Sequence, residues 1–65
     1  MNKILEQRIE SFVRSSERPL RMRTIYRAFV DDAHTRSDVL HAIWRLLDHH
    51  KINLDRDLNI VAVIY

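Results

Sequence analysis

The sequence contains no cysteine and no glycine, and it has a single proline. Without cysteine, the chain forms neither a disulfide bond nor a thiolate zinc site, which fits a reducing compartment. A chain of 65 residues must then be stabilised by its hydrophobic core alone, with a thin stability margin. Without glycine, any left-handed backbone position at a helix end or turn must be taken by another residue type. We predict one folded domain over residues 1–65.

Long hydrophobic runs are also missing from the chain. No apolar stretch approaches the roughly 18 residues that a membrane-spanning helix needs, and residues 1–4 do not begin a secretory signal peptide. We therefore expect a cytoplasmic protein with no membrane partner. The sequence has no Gly-rich phosphate-binding loop, no cysteine nucleophile and no evident pair of catalytic carboxylates. We accordingly expect no enzyme activity and no cofactor.

Charge is distributed unevenly along the chain, although the formal net charge is only +2. Residues 1–30 carry seven Lys or Arg against three Glu, and residues 31–65 carry four against six Asp. Five arginines fall between Arg14 and Arg27. Such a cluster is suited to phosphates or to an acidic protein. A solvated charged surface is the alternative interpretation.

Hydrophobic residues recur at helical spacing in two segments of the first half. The first segment predicts a helix over about residues 2–14, with Asn2 as its N-cap. Its apolar face consists of Ile4, Leu5, Ile9, Phe12 and Val13. Pro19 stops any continuation, and Leu20 is interpreted as the inward residue of a very short strand. The second segment predicts a helix over about residues 22–30, with its apolar face formed by Met22, Ile25, Tyr26 and Phe29.

A third helix is predicted over about residues 36–49. Thr35 and Asp38 have the spacing of a capping box, with Asp in place of the usual Glu. The predicted buried arc consists of Val39, Leu40, Ile43, Trp44, Leu46 and Leu47. The predicted outer face consists of Asp38, His41, Ala42, Arg45, Asp48 and His49. Because glycine is absent, we expect His50 or Asn53 to adopt the left-handed conformation that follows the helix.

Alternation of apolar residues replaces helical spacing from residue 52 onward and predicts β-strands. The apolar positions are Ile52, Leu54, Leu58, Ile60, Ala62 and Ile64. Asp55-Arg56-Asp57 interrupts the alternation and predicts the tip of a hairpin. We expect Leu54 and Leu58 to flank this tip with both side chains facing the core.

The segment from Ser37 to Ile52, with an apolar end to the helix and then a hydrophobic strand, resembles the recognition helix and wing of the winged helix-turn-helix superfamily. The order helix, short strand, helix, turn, helix, hairpin extends this resemblance over nearly all of the chain. It implies an α+β fold, a small winged helix with three helices packed on a C-terminal two- or three-stranded antiparallel hairpin sheet. In such proteins the third helix enters the major groove of DNA.

The resemblance also implies which residues would contact double-stranded DNA. Side chains on the third helix would meet base edges, and basic residues around it would meet phosphates. The implied DNA-binding residues are Arg21, Arg23, Arg36, Ser37, His41, Ala42, Arg45, Lys51 and Arg56. A transcriptional regulator or a phage- or plasmid-type accessory factor is the expected role. Some acidic residues argue against DNA binding, because phosphates repel carboxylates. These are Asp38, Asp48 and the aspartates of the hairpin tip.

A winged-helix module that binds another protein, and no DNA, is the alternative hypothesis. The last strand is apolar on both faces, whereas a strand covered on one side should alternate with polar residues. Val61, Val63 and Tyr65 would form an interface covered by a second copy, by another protein or by the first helix; a small exposed patch is the remaining interpretation. The spacing of His34, Asp38 and His41 invites a metal hypothesis, but His34 is expected to precede the helix, so we predict no metal site.

Overall fold

The computed structural model describes residues 3–63, which form three helices and one two-stranded antiparallel sheet. The elements are α1 (Lys3–Arg14), α2 (Met22–Phe29), α3 (Arg36–Asp48), β1 (Ile52–Leu54) and β2 (Ile60–Ala62). This is a small α+β fold in the order expected of a winged-helix-like arrangement. The predicted fold class is therefore confirmed, and α2 and α3 each end one residue earlier than predicted. The predicted N-cap of α1, Asn2, lies outside the described residues.

The buried stripe of α1 is formed by Leu5, Ile9 and Val13, which recur every fourth residue and therefore lie on one side of the helix. Phe12 packs at the edge of this stripe, where its ring meets the edge of Phe29 in α2 at a centroid distance of 5.4 Å. The prediction that Ile4 belongs to the buried face was wrong, because Ile4 lies outside this stripe and is exposed.

Leu20 ties the loop between α1 and α2 to the hairpin. It forms an isolated antiparallel bridge with Ile60, in which each backbone N–H donates to the other residue's carbonyl at 2.9 and 2.7 Å. The predicted short strand is thus a single paired residue, half-buried, at the edge of the sheet. Helix α2 begins two residues later and buries Ile25 and Phe29, with Met22 and Tyr26 packed against the core.

Helix α3 has specific hydrogen bonds at both ends. At its start, the Thr35 hydroxyl accepts from the Asp38 N–H and the Asp38 carboxylate accepts from the Thr35 N–H, which completes the predicted capping box. At its end, His50 has φ 58°, its N–H donates to the Leu47 carbonyl, and the Lys51 N–H donates to the Leu46 carbonyl. This is a Schellman motif with histidine in the position usually held by glycine, as predicted.

The hairpin pairs Ile52 with Ala62 and Leu54 with Ile60. Its tip is organised by Asp55, whose carboxylate accepts the backbone N–H groups of residues 57 and 59. Leu58 follows the turn with φ 64°, a conformation that glycine usually provides in this type of hairpin. The prediction that Leu54 and Leu58 face the core was wrong, because this turn breaks the alternation. Leu54 is partly exposed, and Leu58 is 70% exposed.

The core lies where α1, α3 and the sheet meet, and α2 closes one side. Its largest fully buried side chains are Leu5, Ile9, Ile25, Val39, Ile43, Ile52 and Ile60. Within residues 3–63, no buried side chain is polar or charged, so the core depends on apolar packing alone, as the lack of cysteine requires. None of the helices in this part of the chain has the length and apolar character to cross a membrane.

Candidate nucleic-acid interface

Helices α2 and α3 are joined by the turn of residues 30–35, and we call this segment the helix-turn-helix for its order of elements. Asp31 organises the turn, since its carboxylate accepts the N–H groups of Ala33 and His34 at 2.9 and 2.8 Å. The Ala33 N–H, with His34 adding to its effect, lowers the pKa of Asp31 from its usual 3.8. The capping box then fixes the first turn of α3. These local bonds set the direction in which α3 leaves the turn.

Three arginines border a groove on the outer side of this helix-turn-helix. Arg23 and Arg27 lie four residues apart on α2, and Arg36 begins α3. The floor is apolar and is formed by Met22, Tyr26 and Val30, and the volume is about 620 Å³. We call this surface the arginine groove. Among residues 3–63 no acidic side chain lines it, so its electrostatic character is positive.

The guanidinium group of Arg36 is held in place by an aromatic ring. Its central carbon lies 4.8 Å from the centroid of the Tyr26 ring, in cation–π geometry. Arg23 and Arg27 make no side-chain hydrogen bond or ion pair with any described residue. The groove therefore combines one fixed guanidinium with two that extend into solvent, four residues and about 6 Å apart along the helix.

The outward face of α3 consists of Ser37, His41, Trp44 and Asp48, which lie within about 60° of one another on the helical wheel. All four are exposed, and Trp44 is exposed by 55%. The His41 and Trp44 rings lie side by side, with their centroids 5.7 Å apart. The prediction that Trp44 belongs to the core was therefore wrong, whereas Ser37 and His41 are exposed as predicted.

Two residues predicted to read DNA lie elsewhere. Ala42 is only 5% exposed, so the prediction that it faces outward was wrong. Its small side chain lies on the side of α3 that packs against α1, and it lines a cleft together with Glu6 of α1. Arg45 borders the same cleft and is half-buried. The centre of the buried side of α3 is therefore displaced by roughly 60° on the helical wheel from the predicted one, toward Ala42.

The other predicted DNA-contacting residues are exposed. Arg21 lies beside the hairpin tip, where it lines a shallow surface with Asp57 and Leu58. Arg56 is at the tip itself, and Lys51 is at the base of β1. The hairpin thus carries its own exposed basic side chains, next to the carboxylates of the tip, on a surface separate from the arginine groove.

Sequence reasoning missed Arg27 and Trp44 as site residues. Arg27 was recognisable, because it follows Arg23 by one helical turn and both lie opposite the buried residues of α2. Trp44 was not, because a tryptophan on an amphipathic helix is ordinarily assigned to the core. Its exposure depends on how α3 packs against α1, and hydrophobic spacing within one helix does not predict that packing.

The predicted protein interface on the last strand falls partly outside the described residues, since Tyr65 is not among them. Val61 and Val63 are half-buried. Val61 lies opposite Asn53, which is exposed, so this face of the hairpin mixes polar and apolar residues. Helix α1 packs against β2, and the Arg14 guanidinium donates to the Val63 carbonyl at 3.3 Å. The interface remains a prediction.

The residues of the metal hypothesis are engaged in other bonds. The Asp38 carboxylate is taken up by the capping box, and the Thr35 N–H lowers its pKa from the usual 3.8. His34 lies 3.3 Å from the Asp31 carboxylate. Over the described part of the chain, no group of three His, Cys, Asp or Glu side chains is arranged to hold a metal ion.

Comparison with known proteins returned no relative: no family model, no curated protein and no solved structure matches the chain.

Proposed function

We propose that this protein is a winged-helix protein that binds duplex DNA. In the proposed complex, α3 lies in the major groove and the arginine groove contacts the phosphate backbone. The arginine groove is the observation that carries the proposal, because three guanidinium groups from two helices border one surface without a carboxylate among its described lining residues. Guanidinium groups are the side chains best suited to bidentate contacts with phosphate.

The arrangement of the motif supports this docking. In helix-turn-helix proteins that bind DNA, the second helix enters the major groove while the first crosses the backbone. Here the first helix of the motif carries Arg23 and Arg27 on its exposed side. Arg36 extends the row of positive charge to the first turn of α3, where the helix dipole also favours an anion.

Two acidic residues, one in the turn and one at the start of α3, are held by internal hydrogen bonds. Asp31 and Asp38 each accept backbone N–H groups, which draw their carboxylates toward the turn and toward the start of α3. Their charge is partly offset by these donors. The predicted repulsion between Asp38 and phosphate is thereby reduced, since its carboxylate is directed at the Thr35 amide.

A salt titration of binding to a random-sequence duplex tests the proposal. The affinity should fall steeply as salt rises, because each phosphate contact releases counterions. Arg27→Ala should reduce the slope of log K against log salt by about 0.9. Arg8→Ala is the matched control, since it removes the same charge from the exposed side of α1, where Arg8 lies over the Phe29 ring at 5.6 Å. Its slope should equal that of the unmodified protein.

Two results would count against DNA binding through this groove. Undetectable duplex binding at low salt would contradict the proposal and favour the hypothesis that the protein binds another protein. Equal loss of slope in Arg27→Ala and Arg8→Ala would mean that net charge alone attracts the duplex, without a defined docking surface.

A further inference from the structure

The outward face of α3 has an aromatic centre. Trp44 is the only tryptophan in the sequence and is 55% exposed, although indole is among the largest apolar groups a protein has. The His41 ring beside it limits the directions in which the indole turns. Together with Arg45 and Asp48, these two rings line a shallow hollow of about 380 Å³. If α3 lay in the major groove of DNA, this hollow would face the base edges.

Major-groove base edges offer few apolar groups to such a surface. Three of the four bases present only hydrogen-bond donors and acceptors there, whereas thymine adds its 5-methyl group. Indole offers a broad apolar face and one N–H donor, so its chemistry matches the methyl group and an adjacent acceptor. An arginine at this place would favour guanine instead, but Arg45 lies away from the centre of the outward face and is half-buried.

We infer that Trp44, with the His41 ring beside it, recognises thymine through its 5-methyl group in the major groove. This inference rests on the proposed function, since it specifies what α3 reads once the protein is docked on duplex DNA. The occupant is taken to be DNA because of charge complementarity. The arginine groove reaches the first turn of α3 at Arg36, so a polyanion bound there lies beside the start of the helix that carries the outward face.

The test compares duplexes that differ only in the methyl group. One pair is an alternating A·T duplex made with thymine or with deoxyuridine, and the other is a G·C duplex made with cytosine or with 5-methylcytosine. The unmodified protein should bind the methylated member of each pair more tightly, by roughly fourfold for each methyl group contacted. All titrations use the same salt concentration, because the phosphate contribution is then constant.

The emission of Trp44 gives an independent readout, since no other tryptophan contributes to it. Its intensity or wavelength should change on binding the thymine duplex, and less on binding the uracil duplex. Trp44→Ala should bind both members of each pair with equal affinity, whereas Trp44→Phe should retain the preference for the methylated one. Thermal melting of each variant checks that it remains folded, as expected for an exposed position.

The outcomes separate the two proposals. If the unmodified protein binds all duplexes in a salt-dependent way with no methyl preference and unchanged Trp44 emission, this inference fails and the proposed function stands. If no duplex binds, both fail. Stronger binding and stronger Trp44 quenching with single-stranded oligothymidine would also overturn the inference, because the indole would then be stacking on unpaired bases.

Discussion

The two faces of α3 differ in which apolar residues they carry. The buried stripe that meets α1 and the sheet consists of Val39, Ala42, Ile43 and Leu46, whereas the outward face has Trp44 at its centre. Ala42 is buried on the side that packs against α1, and Trp44 is exposed, although indole is far more apolar than a methyl group. The difference teaches that the distance between neighbouring helices, as much as hydrophobicity, decides which side of this helix turns inward.

Truncation of one residue on each face gives the largest expected contrast. Ile43→Ala should lower the free energy of unfolding by about 2–5 kcal/mol, because it leaves a cavity at a fully buried position. Trp44→Ala, the next residue, should change it by about 0.5 kcal/mol or less, since an exposed side chain contributes little packing. Chemical denaturation of both variants measures the contrast. A similar loss for the two would show that the Trp44 side chain is buried in solution.

Enlargement of a small residue on each face sharpens the same contrast. Ala42→Leu should destabilise the protein by about 1–3 kcal/mol, because added methyl groups force α1 away from α3. Ser37→Leu, at an exposed position of the same helix, should be nearly neutral. Thermal unfolding of the two variants provides the measurement. If Ala42→Leu is tolerated as well as Ser37→Leu, the close approach of α1 does not set the rotation of α3.

The capping box determines where α3 begins and gives a smaller effect. Thr35→Ala should cost about 1 kcal/mol of stability, because the Asp38 N–H loses its acceptor. The measurement is the free energy of unfolding at neutral pH. Thr35→Ser keeps the hydroxyl and is the matched control, which should lose much less.

The Asp38 carboxylate of the capping box makes the free energy of unfolding depend on pH. The folded-state pKa of Asp38 is lowered by the hydrogen bond from the Thr35 N–H, so its contribution to stability is complete above pH 3.8. It is lost as pH falls through the lower folded-state value. Asp38→Asn should therefore flatten the acid limb of stability against pH. Thr35→Ala should flatten it less, since it removes the smaller effect of the hydroxyl and keeps that of the Thr35 N–H. Identical acid limbs for the unmodified protein and Asp38→Asn would contradict this account.

Local signals in the sequence predicted most of the fold. The Thr35 and Asp38 spacing located the start of α3, and the change from helical to alternating spacing located the hairpin. The lack of glycine left His50 or Asn53 for the left-handed position after α3, and His50 occupies it. Each of these features is encoded within a few neighbouring residues. Their order was sufficient for the α+β arrangement with a winged-helix-like plan.

The candidate site was predicted less completely, because it depends on contacts between elements. The side of α3 that is buried depends on its packing against α1. The predicted exposure of Ala42 and the predicted burial of Trp44 were therefore both wrong. Leu58 was assigned to the core because a turn with a left-handed leucine could not be anticipated from alternation alone. The arginine groove arises only when Arg36 of α3 is brought beside α2.

The bridge between Leu20 and Ile60 has a consequence for how the chain is made. It joins the end of the first third of the sequence to the hairpin's second strand, so the sheet gains this edge only after residue 60 has emerged from the ribosome. Ile60 also fills the core between the helices. The helix-turn-helix is synthesised earlier, but it acquires its supporting layer late, and a nascent chain would have no rigid surface to offer a ligand before then.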